Sequence, residues 1–141
     1  MRLWHWKLIP VLPKQQLLGQ WRECCLIMKN ISENGTPNHI LVNPIMDYPL
    51  DHFYCYAYMV NEEMQRRGYQ SDWLKFTKWM KNGTFEQISG WRLFQEWHTR
   101  KYLMQCITNL EEKHDRGGIT DQEWKQIIQI PELNRRYGMA V

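Results

Sequence analysis

The chain has 141 residues, 43% of them apolar and 23% charged, which suits one globular domain with a real buried core. No apolar run approaches the ~18 residues that a membrane span needs, which excludes a membrane-spanning helix. A formal net charge of +3 permits a polyanionic partner without demanding one.

Met1 to Pro13 is apolar and aromatic, with Arg2, His5 and Lys7 among its few polar groups. Pro10 and Pro13 predict an extended lead-in rather than a helix interior. Pro13 suits an early helical position, and Lys14 to Lys29 carries good helix formers without proline. Asn30 to Pro44, with Asn34-Gly35 and two prolines, reads as a loop with room for a short extended piece at Ile40–Val42. A second helix runs from near Pro49 to Arg67. Phe53, Tyr56, Ala57, Val60 and Met64 recur at helical spacing, Arg66 and Arg67 suit the negative end, and Gly68 stops it.

Ser71 is placed to cap a short helix through Met80, ended by Asn82-Gly83, and Trp91 to Trp97 reads as a further helical piece. Near Thr99 begins a helix with the stripe Tyr102, Leu103, Cys106, Ile107 and Leu110, ended by Gly117-Gly118. Thr120-Asp121-Gln122-Glu123 has the form of a capping box before a short helix bearing Trp124, Ile127 and Ile128. Pro131 stops that helix, and the tail reaches Tyr137-Gly138. There are no repeats and no long linkers. The fold class is all-α: a single compact domain, residues 1–141, of several helices with long loops.

Eight tryptophans are many for this length, and large rings usually fill cores. Trp4 and Trp6 have two readings, core packing or a wedge into distorted duplex. Vicinal Cys24–Cys25 cannot form an ordinary structural bridge, and the four cysteines make no Cys-x-x-Cys pair with histidine partners. They read as small buried hydrophobes in a reduced, cytoplasmic setting, with no signal peptide. The five histidines are scattered, so neither a metal nor another cofactor is expected. His5 and His98 read as core histidines.

On a helical wheel, Leu17, Leu18, Trp21, Cys24, Cys25 and Met28 form the buried stripe of the first helix. Gln15, Gln16, Gly19, Arg22, Glu23 and Leu26 gather opposite. A mid-helix glycine costs about 1 kcal/mol relative to alanine. Gly19 beside two amides, a guanidinium and a carboxylate therefore reads as a place where something bulky approaches the backbone. The alternatives are an ordinary solvated face, or a second element packed on Gly19. A guanidinium there can grip phosphate, but a carboxylate repels DNA unless it has a chemical task.

Arg2-Leu3-Trp4-His5 followed by Leu12-Pro13-Lys14-Gln15-Gln16-Leu17-Leu18-Gly19-Gln20-Trp21-Arg22-Glu23-Cys24-Cys25 resembles the start of the pyrimidine-dimer DNA glycosylase family of the endonuclease V type. The likeness is to a bacterial and phage branch of that family, and the helix end Glu62-Glu63-Met64-Gln65-Arg66-Arg67-Gly68-Tyr69 is similar to that branch too. It is weaker over His98 to Lys113, and Gln70 to Trp97 shows none. The resemblance implies an endonuclease V-like fold and a glycosylase with AP-lyase activity, acting as a monomer on double-stranded DNA that contains a damaged base.

In that family the protein's own α-amino group attacks the sugar C1′, assisted by a glutamate of the first helix. Those roles fall here on Met1 and Glu23. Phosphate and polar contacts fall on Arg2, Arg22, Gln15 and Gln16, and Lys113 corresponds loosely to a lysine near the DNA. Arg2 is bulky enough to block removal of the initiator methionine, so Met1 itself supplies the amine, 22 positions before Glu23. Leu26 stands where studied members carry arginine, and their aromatic, basic C-terminal segment is reduced to Asn134-Arg135-Arg136-Tyr137-Gly138.

The chemistry is reasonable for an amine at the chain start. An α-amine titrates near ~8 and a lysine near ~10.4, so at pH 7 roughly 10% of α-amines are neutral against less than about 0.1% of lysines. Only the neutral form attacks carbon. A carboxylate close by can stabilise the cationic sugar or move protons. The competing reading is a module on the same fold that grips bent or damaged nucleic acid without chemistry.

Overall fold

The computed structural model describes residues 1–136, without the side chains of Asn134 to Arg136, so of the Asn134–Gly138 tail singled out above only the backbone up to Arg136 is described and Tyr137-Gly138 lies outside. The helices, in chain order, are α1 (Lys14–Asn34), α2 (Leu50–Arg66), α3 (Leu74–Thr77), α4 (Arg100–Asp115), α5 (Asp121–Ile128) and α6 (Pro131–Arg136). Short 3-10 turns occupy Trp6–Val11, Asn43–Asp47 and Gly90–Arg92. Among the described residues there is no strand, as the all-α reading expects.

Several boundaries differ from the sequence reading, each for a local reason. Helix α1 continues past Lys29 to Asn34, because Gly35 (φ 77°) supplies the left-handed cap and its N–H bonds the Ile31 carbonyl at 2.9 Å. Asn34-Gly35 is thus a helix stop rather than a loop signal. The lead-in is extended only up to His5, whose Nδ1 accepts from the Lys7 N–H (3.1 Å) and starts the 3-10 turn around Pro10. Pro13 stands just outside α1 as its N-cap, and Ile40–Val42 is a turn rather than extended. Ser71 does not cap: its hydroxyl donates to Asn61 Oδ1 (2.6 Å), while Asp72 Oδ1 accepts from the Leu74 N–H. Helix α3 is correspondingly short. Of Trp91–Trp97 only the first residues are helical, in the 3-10 turn. Pro131 opens α6 as well as following α5.

The capping box at Thr120–Glu123 forms as expected, and Glu123 does a second task. Its Oε2 accepts the Lys14 N–H at 2.9 Å, so α5 caps the start of α1, which Pro13 leaves without a side-chain cap.

One continuous core holds the helices together: Leu17, Trp21, Cys24 and Met28 of α1, Phe53, Tyr56 and Val60 of α2, and Leu103, Ile107 and Leu110 of α4. Trp73 stacks on Trp21 and Phe76, which seats α3 against α1. All four cysteines are free thiols. Cys24 is fully buried, and burial pushes the half-buried Cys25 thiol up to about 11, so both are packing groups rather than nucleophiles.

Two polar clusters lie within this frame. The Glu63 carboxylate accepts from Arg67 Nε (2.6 Å) and is paired with Arg66, while Arg67 also donates to the Leu12 carbonyl (2.7 Å) and the Pro10 carbonyl (3.2 Å). The helix end that carries part of the family resemblance is therefore a clamp that fastens α2 to the 3-10 turn. Burial pushes the Glu63 carboxyl up, but the two arginines outweigh it and hold it below the ordinary glutamate range. The second cluster is His5 with His98. His5 Nε2 donates to the His98 carbonyl (2.9 Å), and the Trp6 N–H donates to His98 Nδ1 (3.1 Å). Burial lowers His5 to about 4 and His98 well below its usual value, so both are neutral core histidines, as the sequence suggested.

Candidate active site

Residues 2–4 are extended but pair with no strand, so their backbone polar groups must find side chains. Gln20 of α1 does most of this. Its Oε1 accepts the Trp4 N–H at 2.8 Å, and its Nε2 donates to the Arg2 carbonyl at 2.9 Å and to Glu23 Oε2 at 3.3 Å. Flipping this amide would set its NH2 against the Trp4 N–H, so the hydrogen-bond pattern itself fixes the assignment. The Tyr56 hydroxyl of α2 donates to the Trp4 carbonyl (2.5 Å) and also lies 2.8 Å from Gln20 Oε1. From α4 the Tyr102 hydroxyl donates to the Leu3 carbonyl at 2.6 Å. Burial pushes both tyrosine hydroxyls up, which keeps them protonated as donors. Three helices thus hold the backbone immediately behind Met1.

In front of this anchored segment is a cleft of about 340 Å3. Six residues anticipated from sequence line it together: Met1, Arg2, Gln15, Gln16, Glu23 and Lys113. Arg22 is not among the lining residues. It is exposed on the neighbouring turn of α1, its guanidinium beside Gly19. Gly19 lines the cleft, and a Cβ built there would meet nothing closer than Arg22 Nη2 at 3.9 Å. Among the described residues no helix packs on this glycine, which removes the packed-element reading and leaves the solvated face and room for an incoming molecule.

Charge in the cleft is uneven in a useful way. Among the described residues Glu23 is the one acid in the lining, which also includes Met1, Arg2 and Lys113. Among the described residues no ion pair engages Glu23 or the Met1 amine; the Gln20 amide is the neighbour that touches the carboxylate. Arg2 lies over the Trp4 ring at 5.1 Å, which steadies the guanidinium without neutralising it. Gln16 Oε1 is buried with no hydrogen-bond partner among the described residues.

Sequence reasoning missed Gln20 and Asn109. Gln20 falls in the middle of the buried stripe, between Leu17 and Cys24, where a polar residue needs a reason. Asn109 precedes Lys113 by one helical turn and lines the same cleft, so the i, i+4 rule would have found it. Leu18 and Cys25 sit at the edges of the stripe and are only half-buried, while Ile27 and Ile31 complete it. Trp4 is buried, and the Trp6 ring packs against Gly90, where an added Cβ would come within 3.1 Å of it. Both are packing residues.

No group of three or more histidine, cysteine, aspartate or glutamate side chains is placed to hold a metal among the described residues, and none of their helices is long and apolar enough to cross a membrane. Neither a curated protein nor a solved structure was found to match the chain. The family model for pyrimidine dimer DNA glycosylase matches residues 1–77, a stretch that carries the whole cleft lining except Asn109 and Lys113. The chain belongs to the pyrimidine dimer DNA glycosylase family, a family of DNA-repair glycosylases.

Proposed function

We propose that the chain is a glycosylase with AP-lyase activity on double-stranded DNA containing a pyrimidine-dimer-like lesion. The neutral Met1 amine bonds to C1′ of the damaged nucleotide, and the glycosidic bond breaks with its electron pair leaving on the base. The nitrogen loses its protons as the sugar ring opens to an imine. Removal of a C2′ proton then expels the 3′ phosphate and cuts the strand. Glu23 as carboxylate stabilises the cationic sugar and relays protons between these steps. Arg2, Arg22 and Lys113 neutralise phosphates around the lesion, with Gln15 and Gln16 as polar contacts.

The observation that carries this reading is one cleft lined by the chain's first residue and by a carboxylate that no cation among the described residues engages. A carboxylate kept out of ion pairs among basic side chains makes poor sense for plain DNA binding. The test pairs two variants. Acetylation of the α-amine and Glu23→Gln should each abolish strand cleavage while salt-sensitive binding to lesion duplex persists. Cleavage that survives acetylation would overturn the assignment. A wild-type protein that binds but never cuts would make it a binding module instead.

A further inference from the structure

The most exposed large apolar side chain among the described residues is Ile40, 82% accessible, with Leu41 beside it at 51%. They form the tip of the turn between α1 and the Asn43–Asp47 3-10 turn. The turn is tightly built. The His39 N–H donates to Asn43 Oδ1 (3.0 Å), the Leu41 N–H to His39 Nδ1 (3.2 Å), and the Asn43 N–H to the His39 carbonyl (2.8 Å). Val42 just after the tip is fully buried, and the Asn30 side chain holds the Pro37 carbonyl before it. Two aliphatic side chains are thus kept in water on a rigid support.

Their position gives this a purpose. Ile40, Leu41 and Pro44 line a groove of about 610 Å3 together with Lys101, Gln105 and Asn109 of α4. Arg2 and Asn109 line both this groove and the Met1–Glu23 cleft, so the two are neighbours across these side chains. Among the described residues the groove lining sets two cations, Arg2 and Lys101, and the amides of Gln105 and Asn109 with the apolar tip, beside the rings of Trp97 and Tyr102 and with Glu96 as its one acid. A charged and amide rim suits phosphates and sugar, and an apolar point suits the base stack between them.

We propose that Ile40, backed by Leu41, is a wedge that enters the duplex beside the nucleotide held in the cleft and keeps the lesion unstacked. The proposal rests on the glycosylase reading above and names a positioning element for it. Trp4 is buried and Trp6 is half-buried with its ring against Gly90, whereas Ile40 stands free in water. Unstacking costs least at a damaged site, so a wedge of this kind favours lesion over intact duplex.

The test uses the full chain and its Ile40→Ser, Leu41→Ser double variant, whose altered side chains are exposed. The probe is a duplex carrying a tetrahydrofuran abasic analogue, which cannot react, flanked by 2-aminopurine. Wild-type protein should raise the fluorescence severalfold. The variant should lose that rise and bind the lesion duplex roughly tenfold more weakly, with unchanged affinity for intact duplex and an unchanged thermal midpoint. An equal rise in both proteins, or none in either, overturns the wedge. So does an unaltered rise accompanied by a change in self-association, which assigns the tip to a contact between copies. Borohydride trapping on a single-stranded abasic oligonucleotide, which is already unstacked, separates the two readings. Equal trapping by both proteins is expected, whereas no trapping by wild type sinks the chemistry while the fluorescence still decides the wedge.

Discussion

Glu23 and Glu63 are both glutamates near arginines on long helices, both within the family-matched stretch, and their surroundings are opposite. Glu63 is nearly buried, bonded to Arg66 and Arg67, and bound through Arg67 to the carbonyls of the 3-10 turn. Glu23 is half-buried in an open cleft and touched by a neutral amide. A carboxylate with both oxygens committed to guanidinium groups is a structural rivet, with little basicity left for a reacting sugar. One outside any ion pair, in a cleft that the chain's first residue also lines, is free to move protons. What separates the two is the partner set, which residue type and helical position do not reveal.

The largest effect expected from this contrast is on rate. Glu23→Gln should lower strand cleavage about 10^3-fold or more with little change in the thermal midpoint, measured on a lesion-bearing duplex under single-turnover conditions. Glu63→Gln should do the reverse, costing about 3 kcal/mol by leaving Arg67 without its charge partner, read from urea unfolding, while the folded protein still cleaves. If the two variants exchange these effects, the contrast fails.

Acid should strike the rivet and the histidine pair. His5 titrates near 6.5 when unfolded and at about 4 when folded, so between those values the unfolded chain binds more protons. Stability is therefore full above pH 6.5 and is lost as pH falls through 4, by about 3 kcal/mol from His5 alone. Glu63, held below the ordinary range, contributes stability above ~4.5 that disappears as pH falls through its folded value. Urea midpoints measured from pH 7 to 3.5 should thus decline in wild type, and in Glu63→Gln the part of the decline below ~4.5 should be shallower. A flat profile would mean that these groups are not buried as described.

Gln20→Ala probes the link between anchor and chemistry. It strands the Trp4 N–H and the Arg2 carbonyl, costing about 2 kcal/mol, and loosens the segment behind Met1, which should slow cleavage on the order of 10^2-fold. A stability loss with an unchanged rate would show that the anchor does not position the amine. The smallest effect belongs to Gly19→Ala. A methyl has room within the protein, so helix propensity should raise stability by up to about 1 kcal/mol, while affinity for lesion duplex falls. Unchanged affinity would mean that nothing approaches this turn of α1.

Much of the fold was legible because helix periodicity and caps are local. Phe53 to Met64, the Tyr102 to Leu110 stripe and the Thr120–Glu123 box all stand where the pattern put them. Asn34-Gly35 misled because the same pair ends a helix or begins a loop, and only the burial of Ile31 separates the two. In the site, the residues near in sequence to one another were legible, while Gln20 was not. Its burial answers an orphan N–H and carbonyl sixteen and eighteen residues away, which no wheel displays. The bonds of Tyr56 and Tyr102 to the same segment span still longer separations. Arg22 follows the opposite rule. It is adjacent to Glu23 in sequence, yet one residue's rotation about α1 leaves it outside the cleft lining.

The central claim is that the chain's first nitrogen is the nucleophile, and it can be caught directly. Borohydride added during reaction with a lesion-bearing or abasic duplex should yield a protein–DNA adduct, and mass mapping of a chymotryptic digest should place the sugar on the α-nitrogen of Met1. An adduct carried instead by the Lys113 side chain, or no adduct on either DNA, would contradict the account.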